Sequence, residues 1–177
     1  MKKFILFIWE IVKIVGIALI IVIPIRLFVF QPFSVRGASM EPNYHDFDYL
    51  IVEEITYNFS EPNRGDVVVF FSPEDPTIRL IKRMIALPGE SVKVSAGKVW
   101  IKREGEDYKI LDESGYLPED EKTLGSVEFN LEEDQFFVLG DNRQVSHDSR
   151  GFGILPEDNI IGRMAFRIWS KEYFNGN

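Results

Sequence analysis

The sequence contains no cysteine among its 177 residues, and it contains only two histidines. The absence of cysteine excludes disulfide bonds, thiolate nucleophiles and cysteine-based zinc sites. The shortage of histidine removes the side chain that most often acts as a catalytic base or a metal ligand. His45 and His147 lack the HExxH spacing of a zinc protease, so we expect no metal and no other cofactor.

The chain also lacks an excess of positive charge, since 20 basic residues face 28 acidic ones and the formal net charge is −8. This balance argues against a nucleic-acid partner, which would need a basic surface. The negative charge is concentrated in residues 102–134, where 12 acidic residues accompany 4 basic ones. Because this stretch also contains turn-forming glycine and proline, we interpret residues from about 104 to 133 as an acidic, solvent-exposed insertion.

The only long apolar run lies at the N-terminus, where residues 4–30 read FILFIWEIVKIVGIALIIVIPIRLFVF. Residues 14–25 carry no charge, and apolar neighbours extend them to the about 20 residues that a bilayer requires. We predict a single transmembrane anchor in residues 1–30, with Lys2 and Lys3 at a cytoplasmic N-terminus. The alternative is a cleaved secretory signal, but no site with small residues follows the run closely.

After Pro42 the sequence changes to short β-branched and aromatic segments that are separated by turn residues. These segments predict strands at residues 48–53, 66–71, 78–87, 91–94, 99–102, 135–139 and 161–168. No stretch beyond the predicted anchor keeps the 3.6-residue period of an amphipathic helix. We therefore predict a mainly β, extracytoplasmic domain in residues 31–177, which the acidic insertion interrupts.

Ser39 in GASMEP (residues 37–42) is a candidate nucleophile, and a nucleophilic serine needs a base. His147 lies in SHDSR (residues 146–150), but successive side chains of an extended segment point to opposite faces and cannot form one relay. Lys82 lies in an apolar strand segment, where desolvation would lower its pKa from about 10.4 to roughly 8, at a cost of about 3.3 kcal/mol. The residues alone leave open a second interpretation, in which Lys82 is an edge-strand charge that blocks aggregation.

Four sequence blocks occur in order behind the apolar N-terminus: GASMEP (37–42), RGDVVVF (64–70), IKRMIALPGE (81–90) and GDNRQVSHDSRGFG (140–153). Together they resemble the conserved boxes of bacterial type I signal peptidase, over nearly the whole chain except the acidic insertion. The resemblance implies an antiparallel β-sheet catalytic domain with one N-terminal transmembrane helix and a small inserted β and loop region. It also implies a serine endopeptidase that removes signal peptides from secreted preproteins at the outer face of the cytoplasmic membrane. Its partners would be these preproteins and the lipid bilayer.

The resemblance implies a role for several residues of the four blocks. Ser39 would be the nucleophile and Lys82 the general base of a Ser–Lys dyad that acts through an acyl-enzyme. The Ser39 backbone N–H would stabilise the oxyanion, and Ser146 would hydrogen-bond and orient the lysine amine. Two supporting ion pairs are implied, Arg83 with Asp141 and Asp148 with Arg150.

Signal peptidase substrates have small residues at the first and third positions before the cut, so shallow apolar pockets suit them. Matching positions suggest Phe33, Val35, Leu80 and Ile81 as the pocket walls, although ordinary β-core is the alternative. The chain departs from the family pattern at Gly37, where some relatives have a serine hydroxyl that donates to the oxyanion.

Two other functions remain as alternatives at this point. One is a Ser–Lys protease that cleaves itself or a dedicated partner, which the N-terminal apolar run and the block at residues 81–90 disfavour. The other is a membrane-tethered β module that only binds an envelope protein, in which Ser39 would be chemically inert.

Overall fold

The computed structural model describes residues 2–28, 30–54, 57 and 62–170, with side chains at these positions except 2, 5 and 23–30. Within these ranges the chain forms a long N-terminal helix, eleven strands, a four-residue helix and a short 3₁₀ turn at Glu157–Asn159. In chain order the helices and strands are α1 (Lys2–Phe28), β1 (Phe30–Ser34), β2 (Tyr49–Glu53), β3 (Val67–Phe71), β4 (Arg79–Ala86), β5 (Ser91–Ser95), β6 (Lys98–Lys102), β7 (Lys109–Ile110), β8 (Val127–Asn130), β9 (Gln135–Leu139), α2 (Ser149–Phe152), β10 (Leu155–Pro156) and β11 (Ile160–Trp169).

The strands form two antiparallel sheets, so the predicted mainly β class with one long N-terminal helix is confirmed. The larger sheet has the order β1-β2-β11-β3-β4-β9-β10, and the smaller one has the order β7-β6-β5-β8. β4 lies inside the larger sheet, where it pairs with β3 and β9. Because β9 is the neighbour of β4, the loop that follows β9 begins beside the middle of β4.

All seven predicted strands are present with small shifts of their ends, and four further strands were not predicted. β7 and β10 have only two residues each, which is too short for a periodic signal. β1 contains Pro32, which usually argues against a strand but is tolerated here because β1 lies at the edge of the sheet.

The buried apolar residues form three clusters around the two sheets. One lies between β4 and the smaller sheet, and it includes Ile85, Val92 and Phe137. The other two cover the larger sheet, one around Met40 and Leu50 and the other around Phe70, Met84 and Phe136. β4 is buried without interruption from Ile81 to Ala86, which is typical of an interior strand with both faces covered.

The acidic insertion is more than a set of solvent-exposed loops. It contributes β7 and β8 to the two edges of the smaller sheet. Leu117, Thr123 and Leu131 are buried, with 8%, 1% and 6% of their surfaces exposed. The sequence pattern did not predict these buried positions, because exposed acidic residues separate them and give the stretch a high charge.

Many large apolar side chains of α1 are exposed, among them Phe4, Ile14 and Ile20. Among the helices that the structure describes, none combines the length and the apolar character needed to cross a membrane.

Candidate active site

Ser39 lies in the connection between β1 and β2, on a turn that the chain fixes from two sides. The side chain of Met40 is fully buried in the core cluster around Leu50, and the Met40 carbonyl accepts a hydrogen bond from Tyr44 N–H at 2.9 Å. The Ser39 carbonyl accepts a hydrogen bond from Asn142 N–H at 3.1 Å. The buried methionine therefore anchors the turn, while the neighbouring serine is joined to the loop that follows β9.

Lys82 reaches this serine from the middle of β4. Its side chain is almost fully buried, with 2% of its surface exposed, and Val68 of β3 is its cross-strand neighbour. The Lys82 Nζ lies 2.8 Å from Ser39 Oγ, in hydrogen-bonding distance, and it donates a second hydrogen bond to the Ile81 carbonyl at 2.9 Å. A strand residue and a turn residue 43 positions apart thus meet in the geometry that proton transfer requires.

Burial lowers the pKa of the Lys82 amine from 10.5 to about 8, because an ammonium group loses its hydration there. The negative charges of Asp148 and Asp141 act in the opposite direction, but they do not offset the burial. With a pKa of about 8, about one amine in ten is neutral at pH 7. A neutral amine has the free electron pair that a general base needs.

Two ion pairs fix the loop that carries residues 140–150. Arg83 donates to both carboxylate oxygens of Asp141 at 2.7 and 2.6 Å. Arg150 donates to both oxygens of Asp148 at 2.8 Å. Burial would raise the pKa of Asp148, but the bond and charge of Arg150 and the bond from Gly140 N–H hold it below its ordinary value. The structure therefore brings together both predicted pairs of partners.

Ser146 lies beside the nucleophile turn but does not contact the lysine amine through a hydrogen bond. Its Oγ is buried, and its hydroxyl interacts with the Asp148 carboxylate and helps to lower the pKa of that group, although the contact lacks the geometry of an ordinary hydrogen bond. It packs against Gly140, on the side where the Ser39 carbonyl also approaches. The predicted bond between Ser146 and Lys82 is therefore not formed in this structure, in which the Ser146 hydroxyl interacts with Asp148 instead.

Gly140 is the point of closest approach between the loop and the nucleophile turn. A methyl group on its Cα would overlap both Ser146 Oγ and the Ser39 carbonyl oxygen. We expect Gly140→Ala to displace the turn or the loop, to lower the free energy of unfolding by about 1–3 kcal/mol and to reduce cleavage by about 100-fold. Denaturant unfolding and a preprotein cleavage assay measure both effects. Gly115→Ala is the matched control, since no heavy atom lies within 4 Å of its added Cβ; equal behaviour of the two variants would contradict the prediction.

The four predicted pocket residues do not form one exposed surface. Val35 and Ile81 are buried in one core cluster, with 1% and 4% of their surfaces exposed. Phe33 is partly buried and packs against that same cluster. Leu80 is also partly buried but packs against a different cluster, around Phe70.

Sequence reasoning missed several residues that contact the site. Asn43 donates from its side-chain Nδ2 to Asp141 Oδ2 at 2.8 Å and to the Tyr116 carbonyl at 2.7 Å. Glu113 in the acidic insertion pairs with Arg143 of the loop. Nothing in the sequence connects an insertion carboxylate with an arginine 30 residues away.

His147 is directed away from the dyad, as its predicted bystander role requires. Its Nε2 lies 2.8 Å from Glu74 Oε2, and both side chains are exposed by more than half. Its ring also packs edge-on against Phe152. The imidazole therefore does not take part in the contact between Ser39 and Lys82.

A β-sheet domain that holds a serine hydroxyl against a buried amine of low pKa is typical of a serine hydrolase. A profile of the family described as "Signal peptidase, peptidase S26" matches residues 8–169, and the chain belongs to this family. It is therefore an enzyme, a serine endopeptidase, and its substrates carry signal peptides.

Similar proteins agree with this assignment. A signal peptidase I of Leptolyngbya laminosa is 38% identical over 89% of this chain and 78% of its own. A probable signal peptidase I-1 of Synechocystis sp. is 38% identical over 92% of this chain and 83% of its own. Signal peptidase IB of Staphylococcus aureus is 28% identical over 92% of this chain and 90% of its own. A crystal structure of a signal peptidase I from Enterococcus faecalis V583 has 28% identity and a TM-score of 0.47, covering 59% of this chain and 97% of its own.

Proposed function

We propose that the chain cleaves N-terminal signal peptides from secreted preproteins with a Ser39–Lys82 dyad, through an acyl-enzyme, at the outer face of the cytoplasmic membrane. The observation that carries the proposal is the 2.8 Å separation of Lys82 Nζ and Ser39 Oγ. The pKa of about 8 supports it, because the amine is then an effective base near neutral pH.

The reaction begins when neutral Lys82 accepts the Ser39 hydroxyl proton as the serine oxygen attacks the scissile carbonyl carbon. The ammonium group then gives this proton to the departing amine of the mature protein, and the signal peptide stays bound to Ser39 as an ester. Lys82 next takes a proton from water, the resulting hydroxide attacks the ester carbonyl, and Ser39 leaves with the proton.

The negative oxygen of each tetrahedral intermediate needs preorganised hydrogen-bond donors. The Ser39 backbone N–H is the first candidate, because no described residue accepts a hydrogen bond from it. Gly37 has no side-chain donor, and its own N–H donates to Asp46 Oδ1 at 2.8 Å. In this proposal the oxyanion is therefore stabilised by backbone amides, beginning with that of the nucleophile.

Ser146 and the two ion pairs support the dyad in this proposal. In this proposal the buried Ser146 hydroxyl accepts a hydrogen bond from the Lys82 ammonium during the reaction. Arg83–Asp141 and Arg150–Asp148 hold the loop that carries this serine.

The substrate pocket is proposed to be shallow because its walls are already filled by core residues. Phe33 is partly exposed and would contact the substrate side chains, whereas Leu80 packs against the other cluster, around Phe70. Val35 and Ile81 are buried and would support the wall from behind, leaving room only for small side chains.

We also propose that α1 attaches the enzyme to the lipid bilayer, with the N-terminus in the cytoplasm and the catalytic domain outside. Support comes from the exposed apolar side chains of α1, which are unfavourable in water, and from the short path to the site. Ser39 follows the start of β1 by nine residues, which span at most about 30 Å.

Membrane fractions washed with alkaline carbonate should retain the chain, and protease added outside intact spheroplasts should digest the domain. Release of the chain by carbonate would refute the attachment.

The pH dependence of cleavage should report the Lys82 titration. Because the neutral amine is the reactive form, kcat/KM should rise about tenfold per pH unit below about pH 8 and level off above it. The measurement is the rate of cleavage of a fluorogenic signal-sequence peptide between pH 5 and 10. A profile that levels off near pH 6.5 would indicate a histidine base and contradict the assignment.

The proposed activity is tested with several unrelated preproteins in detergent, followed by N-terminal sequencing of the products. Cleavage of all of them after small residues at the first and third positions supports the proposal. Cleavage of the enzyme itself or of a single partner alone would favour a self-processing protease. If the folded chain cleaved none of the preproteins, the proposed activity would be refuted.

A further inference from the structure

The segment of residues 113–123, in the acidic insertion, lies against every segment that carries the dyad. We refer to residues 113–123 as the docking segment. We propose that Glu113 and Tyr116 of this segment are positioning residues, which hold the loop of residues 140–146 and the nucleophile turn in their active arrangement. The inference rests on the proposed signal peptide cleavage by Ser39 and Lys82.

The first contact is an ion pair with the loop. The Arg143 side chain is 1% exposed, and its Nη1 donates to Glu113 Oε2 at 3.0 Å while its Nη2 donates to Glu113 Oε1. Arg143 also donates to Thr123 Oγ1 and, through Nε, to the Gly140 carbonyl at 3.1 Å. The guanidinium group thus joins the docking segment to the glycine that contacts the Ser39 carbonyl.

The second contact reaches the other two segments through Tyr116. The Arg83 guanidinium lies over the Tyr116 ring, 4.2 Å from its centre, and Arg83 is the neighbour of Lys82 on β4. The Tyr116 carbonyl accepts a hydrogen bond from Asn43 Nδ2 at 2.7 Å, at the end of the nucleophile turn. The same Asn43 Nδ2 lies 2.8 Å from Asp141 Oδ2.

The two contacts are linked to each other by a further hydrogen bond. The Tyr116 hydroxyl donates to Glu113 Oε1 at 2.7 Å. Burial and the nearby Glu113 charge raise the pKa of Tyr116, so this hydroxyl keeps its proton at physiological pH. One carboxylate therefore accepts hydrogen bonds from the loop arginine and from the tyrosine that contacts Arg83.

The inferred role follows from how little displacement the reaction tolerates. A misplacement of about 1 Å in a catalytic group can reduce the rate by about 100-fold. Without Glu113, the buried Arg143 charge would have no carboxylate partner, and the loop would move to let it reach water. That movement would alter the contacts of Gly140 and Asn142 with the Ser39 carbonyl.

The test is steady-state cleavage of a preprotein by the full chain carrying Glu113→Gln, with Glu119→Gln as the matched control. Glu119 is an exposed glutamate of the same docking segment. Glu113→Gln should lower kcat by about tenfold or more with KM unchanged, while Glu119→Gln should match the wild type. Glu113→Asp, which keeps the charge, should recover part of the lost kcat. Wild-type kcat in a folded Glu113→Gln protein would overturn the inference.

Tyr116→Phe is a second variant that tests the same positioning role if the Glu113→Gln protein does not fold. It removes only the hydroxyl that donates to Glu113 and keeps the ring beneath Arg83 and the carbonyl that binds Asn43. We expect kcat to fall about two- to fivefold in this variant, with thermal unfolding close to that of the wild type. An unchanged kcat would again overturn the proposal.

Amide hydrogen exchange separates this inference from the proposed function. The amides of Asn142 and Ser146 are hydrogen-bonded in the loop, and they should exchange about tenfold faster in Glu113→Gln or Tyr116→Phe than in Glu119→Gln. This readout needs no substrate. Faster exchange in a protein whose wild type cleaves no preprotein would support the positioning role and refute the proposed function. Unchanged exchange with normal wild-type cleavage would refute the positioning role alone.

Discussion

Replacing Ser39 with alanine should reduce preprotein cleavage by at least about 1,000-fold, because among the described hydroxyl groups only that of Ser39 is hydrogen-bonded to Lys82 Nζ. Ser146 lies in the loop beside this turn, but its Oγ is buried and forms no hydrogen bond with Lys82. The fold should be unaffected, since the turn depends on the buried Met40 and on backbone hydrogen bonds rather than on the Ser39 hydroxyl.

Ser126→Ala is the matched control for this substitution, since Ser126 is an exposed serine of the acidic insertion. It should cleave like the wild type. Cleavage is measured as product formed per minute, and folding as the midpoint of thermal unfolding. If Ser39→Ala processed preproteins at the wild-type rate, the dyad would be wrong even though the family assignment would stand.

Replacing Lys82 with methionine should have opposite effects on activity and on stability. Cleavage should fall by at least about 1,000-fold, because the general base is lost. The free energy of unfolding at pH 7 should rise by about 1–3.5 kcal/mol, since an apolar chain of similar length replaces a buried ammonium group. The upper value reflects the lowering of the Lys82 pKa from 10.5 to about 8, at about 1.4 kcal/mol per unit. The lower value allows for the two hydrogen bonds that Nζ loses.

The stability effect should depend on pH in a defined direction. The Lys82 pKa is lower in the folded protein than in the unfolded chain, so the penalty of the buried charge is complete below about pH 8. Between about pH 8 and 10.5 the unfolded chain binds more protons at this site, so the wild type gains stability as the pH rises. The advantage of Lys82→Met should shrink over this interval.

Urea unfolding at pH 7 and at pH 10 measures this difference, and Lys98→Met is the control. Lys98 is an exposed lysine of β6, so its substitution should change the stability little at either pH. Lys82→Arg should also lose the cleavage activity, because a guanidinium group does not deprotonate in proteins and cannot replace the general base. A Lys82→Met protein that is less stable than the wild type at pH 7 would show that the buried amine stabilises the fold.

Local sequence patterns predicted much of the fold and made Ser39 and Lys82 candidates for the site. Alternating and continuous apolar segments located seven of the eleven strands, because side-chain burial in a sheet follows the strand period. Lys82 was a candidate base because its strand segment is apolar, and the resemblance to signal peptidase favoured this role over an edge-strand charge. The buried position of its amine and its low pKa agree with that reasoning.

Contacts between distant segments could not be predicted in the same way. The pairing of Glu113 with Arg143 depends on how the smaller sheet packs, and neither residue differs in sequence context from its charged neighbours. The burial of Val35 and Ile81 has a similar cause: their resemblance to pocket residues could not tell a wall from the core behind it. The interaction of the Ser146 hydroxyl with Asp148 rather than Lys82 depends on a side-chain rotation, which no sequence pattern specifies.

Three buried or partly buried ion pairs involve residues 140–150: Arg83–Asp141 joins them to β4, Arg143–Glu113 joins them to the acidic insertion, and Arg150–Asp148 lies among them. Losing one member of such a pair leaves a charge in the interior, whereas replacing both members by apolar groups can be nearly neutral. Evolutionary change at these positions should therefore occur in pairs. Positions 113 and 143 should covary across the family, and relatives with a shorter insertion should either supply another carboxylate or dispense with the arginine.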